Sequence, residues 1–329
     1  MLENLLKKER LLRGLQLYLS SAILYGLGIL LFRYLSYYQR TIGVKAQETL
    51  LYLYLGYLIL APILYFLFIH DYSENKPYLF FRAVLRNLSQ LTRKHEERSF
   101  RWEMEEKVAL LFILVKLFFL PTMTDFFFDN YGSLSSQWNS ASSLLWYPFI
   151  LTFMFALDTL IFSIGYAFES RKLGNTVKSV EPTFFGWFVA LICYPPFNSI
   201  VGGFIPWGAN DYTSFWSPAL TTFFRIILVG LLLIYVWASV ALGLKSSNLT
   251  NRGIVGKFPY SIVRHPAYVS KNLIWWITLL PVINWTFALG MLFWTFIYIC
   301  RAITEEKHLG QDPDYQKYCE KVKYRFIPG

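Results

Sequence analysis

Apolar residues in this chain come in long blocks separated by charged loops, and few folds accept that pattern. Blocks run over Leu15–Leu35, Thr49–Ile69, Val108–Phe128, Leu144–Phe168, Phe184–Trp207 and Pro218–Leu244, with a further run from Leu273 to Cys300. A bilayer-spanning helix needs about 20 predominantly apolar residues, and unpaired backbone is not tolerated in hydrocarbon. The chain is therefore predicted to be an all-α polytopic membrane protein. Composition agrees: 16% of the 329 residues are charged, against about 25% in a soluble domain. Residues 1–14 are rich in Lys and Arg, but the run after them lacks a convincing cleavage site and is expected to stay as a span.

Proline and loop charge refine the topology. Pro195-Pro196 predicts a broken or kinked fifth span. Pro281 and Asn284 in the last run favour a helical hairpin with arms Leu273–Ile283 and Trp285–Cys300, turning at Val282-Ile283-Asn284. Loops 129–143 and 208–216 hold no Lys or Arg, and 38–48 holds only Arg40 and Lys45. Nearly all the basic residues fall in the N-terminus, 70–107, 169–183, 245–272 and the tail from Arg301. Cytoplasmic loops carry the Lys/Arg excess, so residues 273–300 should start and finish on one side. The expectation is about eight transmembrane segments with both termini cytoplasmic, divided into a membrane region 1–244 and a C-terminal module 245–329.

The net charge of +10 does not point to nucleic acid, because it flanks hydrophobic spans and needs only anionic headgroups as partner. Three scattered cysteines give neither a disulfide framework nor metal spacing. No internal repeat, Walker motif or dinucleotide fingerprint is present. Asn87-Leu88-Ser89 and Asn248-Leu249-Thr250 match the glycosylation pattern but fall on the cytoplasmic side.

Phe80, Phe81, Val84, Leu85, Leu88 and Leu91 recur at helical spacing, with Lys76, Arg82, Arg86 and Arg93 off the stripe. Residues 76–94 are thus predicted to form an amphipathic interfacial helix. The stretch on to Lys107 reads as a solvated connector, or as a surface that recruits substrate. Lys116, Asp158 and Arg225 interrupt predicted spans, at roughly 2.5–3.5 kcal/mol each on insertion scales. Lys116 and Arg225 can snorkel to a boundary. Asp158 needs a partner or a water-filled cavity and leaves a transport pathway open.

Two polar clusters carry the chemistry. In Pro259-Tyr260-Ser261-Ile262-Val263-Arg264-His265-Pro266-Ala267-Tyr268, Arg264 is a planar cation suited to carboxylate or phosphate. His265 adds a donor that titrates near neutrality, Pro266 fixes the turn, and Tyr260 and Tyr268 give amphipathic faces. An interfacial anchor would look similar. Across the hairpin, Arg301, Glu305, His308 and Leu309 share a helical side, and Glu306 follows Glu305. Arg301 and Glu305 are spaced for an i, i+4 ion pair, in the less stabilising order. A hairpin between the clusters puts them on one membrane face. Together they suit a zwitterionic aromatic cofactor such as S-adenosylmethionine: carboxylate to the Arg264–His265 clamp, hydroxyls or amine to Glu, sulfonium near aromatic faces.

At these residues the sequence resembles the isoprenylcysteine carboxyl methyltransferase family. The resemblance lies in Pro259-Tyr260, Arg264-His265-Pro266 and Tyr268, then Arg301 with Glu305-Glu306 after a hairpin. It ends in Tyr315, Tyr318 and a terminal Phe326-Ile327-Pro328. It covers about residues 250–329. It implies a membrane methyltransferase with S-adenosylmethionine held by Tyr260, Arg264, His265, Tyr268, Glu305 and Glu306, and no metal. Arg301 and Glu305 would be the catalytic residues: Arg301 beside a reacting carboxylate, and Glu305 or His265 as base should the acceptor be an amine or hydroxyl. Ser270 stands where the family commonly has Gly, and residues 1–240 follow no pattern of the family. The acceptor is expected to be lipophilic or lipid-linked, prenylcysteine being one case, in a bacterial inner membrane or the endoplasmic reticulum. A sterol-reductase-type NADPH enzyme shares Arg-His-Pro-x-Tyr and the Tyr318-Cys319 and Tyr324-Arg325-Phe326 pattern, and stays open beside a non-enzymatic transporter or scaffold.

Overall fold

The computed structural model describes residues 2–67, 75–92, 99–139 and 146–328. The ends of three predicted segments, at 68–69, 93–94 and 144–145, lie outside the described residues. The regular structure of the described chain is helical apart from one two-residue ladder. It contains α1 (Leu2–Tyr34), α2 (Ser36–Thr41), α3 (Val44–Leu67), α4 (Lys76–Gln90), α5 (Met104–Asn139), α6 (Trp146–Ala167), α7 (Phe184–Leu191) and α8 (Phe197–Phe204). It continues with α9 (Pro218–Leu242), α10 (Pro266–Leu279), α11 (Trp285–Leu309) and α12 (Pro313–Lys321). Strand β1 (Ser179–Val180) pairs antiparallel with β2 (Thr250–Asn251).

Among the described residues six helices are long and apolar enough to cross a membrane: Leu11–Tyr34, Val44–Ile63, Met104–Asn139, Trp146–Ala167, Pro218–Lys245 and Trp285–Leu309. The protein is thus an all-α, multi-pass membrane protein. The other two expected segments take shorter forms. The fifth breaks at Pro195-Pro196 into α7 and α8, because proline removes a backbone donor and clashes with the preceding turn. The first hairpin arm is α10 with a 3-10 turn at Leu280–Val282, and Asn284 caps α11 by accepting from the Phe287 amide. The indole of Trp276 donates to Thr295, and the rings of Trp275 and Tyr298 lie edge to face, so the arms run antiparallel as the Pro281/Asn284 pattern predicts.

Two compact units are present, residues 1–122 and 123–329, with the division inside α5. In the first, α1 packs against α3: Tyr18 donates to the Leu58 carbonyl and Tyr54 to that of Ala22. Such hydrogen bonds and close packing hold helices together where lipid removes the hydrophobic drive. Helix α4 covers Lys76–Gln90 of the stretch predicted to be an amphipathic interfacial helix. Leu85 and Leu88 face outward, while Lys76 is buried over the Phe112 ring. The stretch to Lys107 is more than a solvated connector. Glu106 is fully buried and takes Arg86 at 2.5 Å and Arg82 at 3.2 Å. Lys116 sits over the Tyr25 and Phe112 rings.

The expected boundary at residue 244 runs through the second unit, where α9 packs along α6 and α10. Leu151, Met154, Leu228, Leu232, Val236 and Ile274 form the shared core. Asp158 finds partners instead of a channel: Tyr235 donates at 2.9 Å and Ser239 donates to its other oxygen. Lys271 rests over Tyr235, Trp275 and Tyr298, and Arg225 over Tyr147. On α11, a Cβ at Gly290 would stand 2.0 Å from the Pro206 carbonyl oxygen, so only glycine lets the segment after α8 press against this helix.

Candidate functional site

The site forms where three short stretches meet the C-terminal half of α11. The first is the loop ending at His265, just before Pro266 opens α10. The chain's tail lies along it: the Arg264 and His265 amides donate to the Tyr324 and Arg325 carbonyls, each at 3.0 Å. Tyr318 of α12 donates to the Tyr260 carbonyl at 2.6 Å, within an apolar cluster of Tyr315, Tyr318, Val322 and Ile254. Burial, with the charge of Glu305 adding to it, pushes the Tyr260 phenol up, so it keeps its proton. Ser270 is buried and returns its hydroxyl to the Pro266 carbonyl, so its side chain fits without blocking helix approach.

Glu306 is the hub of this side. Oε1 accepts from Arg264 Nε at 2.9 Å and faces His265 Nε2 at 3.0 Å; Oε2 accepts from Arg325 Nη2 at 2.7 Å. A carboxylate only accepts, so Nε2 of His265 carries a proton. Arg264 also donates to the Val322 and Lys323 carbonyls. The Arg264–His265 pair expected as an external anion clamp is thus occupied internally, pinning the tail. His265 stacks on Tyr268 with ring centroids 5.2 Å apart and 10° between planes.

One residue earlier on α11 the setting changes. Tyr268 donates to Glu305 Oε2 at 2.8 Å, and the Glu305 side chain is 45% exposed. Arg301 does not form the i, i+4 ion pair. It is 8% exposed, donates through Nη2 to Asn248 Oδ1, and lies over Tyr268, Tyr194 and Tyr298 at 5.2, 5.7 and 5.8 Å. Among the described residues no carboxylate comes within 4.0 Å of it. Asn248 is itself held, its amide groups reaching Tyr166 and Tyr194.

Arg301, Glu305, His308 and Leu309, predicted to share a helical side, all line one cleft, with Tyr268 from α10. Its empty space, counting the part open to solvent, is about 420 Å³. Tyr260, Arg264, His265 and Glu306 stand behind its wall. The far side comes from residues that motif reading missed: Glu181 and Gly186 at the start of α7, and Ser247 to Thr250 after α9. The β1–β2 ladder brings these together, supported by Ser179 against His308 at 2.9 Å and by Lys178 and Asn251 on Asp312. Burial alone would raise the Asp312 carboxyl, but hydrogen bonds from Asn251, the Asp314 amide and Lys178 outweigh it and hold it below its ordinary value. An acid ahead of a helix, as in Glu181-Pro182-Thr183, is too common a pattern to have marked the site. Compared with protein-family models, with curated proteins and with solved structures, the chain matches none of them.

Proposed function

We propose that this protein is an integral membrane methyltransferase that moves a methyl group from S-adenosylmethionine to a lipophilic or lipid-linked acceptor. The observation that carries the reading is the charge pattern of the cleft. A buried guanidinium without a carboxylate partner among the described residues lies among three tyrosine rings, with Tyr268 and Glu305 beside it. Of the other cations nearby, Arg264 and Arg325 are held by Glu306, and Lys271 rests over the Tyr235, Trp275 and Tyr298 rings. A phosphate-rich ligand such as NADPH would have to compete with that carboxylate, whereas a donor carrying hydroxyls and a sulfonium, beside an acceptor carboxylate on Arg301, matches what is left. This favours the methyl donor over the sterol-reductase reading, and the hydrogen bonds that satisfy Asp158 weaken the transporter reading.

When bound, S-adenosylmethionine supplies an electrophilic methyl. Arg301 holds the reacting carboxylate of the acceptor, with several N–H donors beyond the one given to Asn248. A carboxylate is already a nucleophile at neutral pH, so catalysis is positioning plus electrostatics. Glu305 takes ligand hydroxyls at the rim, its orientation set by Tyr268. Arg264, His265 and Glu306 act through the wall, fixing where Tyr268 and the last turns of α11 stand. Eight passes with the hairpin counted, and both termini and the cleft cytoplasmic, follow from the Lys/Arg distribution. The membrane would be a bacterial inner membrane or the endoplasmic reticulum.

The test is a titration of purified protein with S-adenosylmethionine and NADPH, followed by transfer of labelled methyl into co-purified lipid or a prenylcysteine. Binding of the methyl donor alone, with label in a lipophilic product, is the expected result. Binding of NADPH alone overturns the proposal.

A further inference from the structure

Glu181 lies outside both polar clusters, yet it lines the same cleft. It is 4% exposed. Its Oε1 accepts from the Thr183 amide at 3.0 Å and the Thr183 hydroxyl at 2.5 Å. Its own amide donates to the Leu249 carbonyl, and its carbonyl accepts from the Trp187 indole, both at 2.8 Å. The side chain is therefore fixed in place. A Cβ at Gly186 would stand 2.4 Å from Glu181 Cγ and 2.5 Å from Cδ, so glycine there keeps room for the carboxyl group. Among the described residues the second oxygen, Oε2, has no hydrogen-bond partner, and no cation lies within 4.0 Å of the carboxylate.

A nearly buried carboxylate without a cation is costly, and the two hydrogen bonds from Thr183 serve only Oε1. Capping α7 does not require it, since Thr183 already accepts from the Gly186 amide. Its rigid placement, open oxygen and position on the cleft wall all suit a cationic donor from a ligand. Glu305 is the softer of the two carboxylates, half exposed and shared with Tyr268.

We propose that Glu181 is the cleft's ammonium-binding residue and receives the primary amine of the methyl donor. This rests on the methyltransferase reading, in which the donor is the ligand that carries a primary ammonium and the acceptor is lipophilic. The division of labour is then defined: Glu181 for the ammonium, Glu305 for hydroxyls, Arg301 for the acceptor's carboxylate.

The experiment uses the full chain in detergent, titrated with S-adenosylmethionine and with its deaminated analogue, for the natural protein and for Glu181→Gln. The natural protein should bind S-adenosylmethionine about tenfold or more tighter than the analogue, the scale of one charge-assisted hydrogen bond. Glu181→Gln should lose that preference and bind both about equally. A purely structural Glu181 would weaken both ligands together and leave the ratio intact, which overturns the proposal. Natural protein with no affinity for S-adenosylmethionine overturns this inference and the methyltransferase reading at once; a natural protein that binds it, with an unchanged ratio in the variant, removes only the role of Glu181. Should Glu181→Gln not fold, Glu181→Asp gives the same comparison. It keeps the charge and draws the oxygens back by one methylene, so the preference should fall several-fold, and an unchanged preference again overturns the proposal.

Discussion

Glu305 and Glu306 are consecutive on α11 and lie in opposite settings. Glu306 is surrounded by Arg264, His265 and Arg325, and its side chain is 10% exposed. Glu305 accepts one tyrosine hydroxyl and opens onto the cleft. Little more than a quarter-turn of helix separates a carboxylate that holds the C-terminal tail in place from one with capacity left for a ligand. The difference teaches that a motif written as Glu-Glu combines two settings: the satisfied member builds the wall, and the unsatisfied one faces the cleft.

The contrast can be broken most directly at Glu306. Replacing it by Gln leaves the Arg264 and Arg325 guanidinium groups around a neutral amide, and breaking a buried pair costs about 3 kcal/mol or more. Glu306→Gln should lower the thermal unfolding midpoint in detergent by many degrees; an unchanged midpoint would mean that the hub is not structural. Arg301→Gln should behave in the reverse way. Removing a buried cation that lacks a carboxylate partner should leave stability intact or raised, while kcat/KM for methyl transfer falls about 50-fold, on the scale of a charge-assisted hydrogen bond. A loss of stability with transfer retained would reverse the assignment.

Smaller effects sharpen the comparison. Glu305→Gln should weaken S-adenosylmethionine about tenfold and shift stability by no more than about 0.5 kcal/mol. Unchanged affinity in a titration would remove Glu305 from the ligand's contacts. Tyr268→Phe deletes only the hydroxyl that aims Glu305, so a loss of about threefold in affinity is expected, within the net worth of one neutral hydrogen bond.

The smallest expected effect is at Asp312. Its carboxyl is held below its ordinary value, so the stability it contributes is present above the unfolded value of about 3.9 and is lost as pH falls through the lower folded value. Lys178 is half exposed, which keeps that contribution under about 1 kcal/mol. The natural protein should therefore lose more of its unfolding midpoint than Asp312→Asn on acidification below about pH 4. Equal losses would show that the tie between Lys178, Asn251 and Asp312 is idle.

Much of the architecture was legible from residue order. Block length and loop charge predicted an all-α membrane chain, Pro195-Pro196 predicted the break between α7 and α8, and Pro281 with Asn284 predicted the hairpin turn. These are local rules: a span needs consecutive apolar residues, and proline acts on its own turn. The shared side of Arg301, Glu305, His308 and Leu309 was legible for the same reason, since helical periodicity places them together without any tertiary contact.

The direction in which each polar side chain turns was decided only by the folded structure. Helical spacing offered Arg301 to Glu305; packing gave Arg301 to Asn248 and three tyrosines, and Glu305 to Tyr268. The clamp of Arg264 and His265 met Glu306 and the tail instead of solvent. Glu181 reached the cleft through a two-residue ladder that pairs residues far apart in sequence. The sequence by itself determined the spans, the breaks and which residues share a helical face, because each depends on neighbours a few positions away. Which cation stays open to a ligand, and which is consumed by the fold, depends on partners that only the tertiary structure brings within hydrogen-bonding distance.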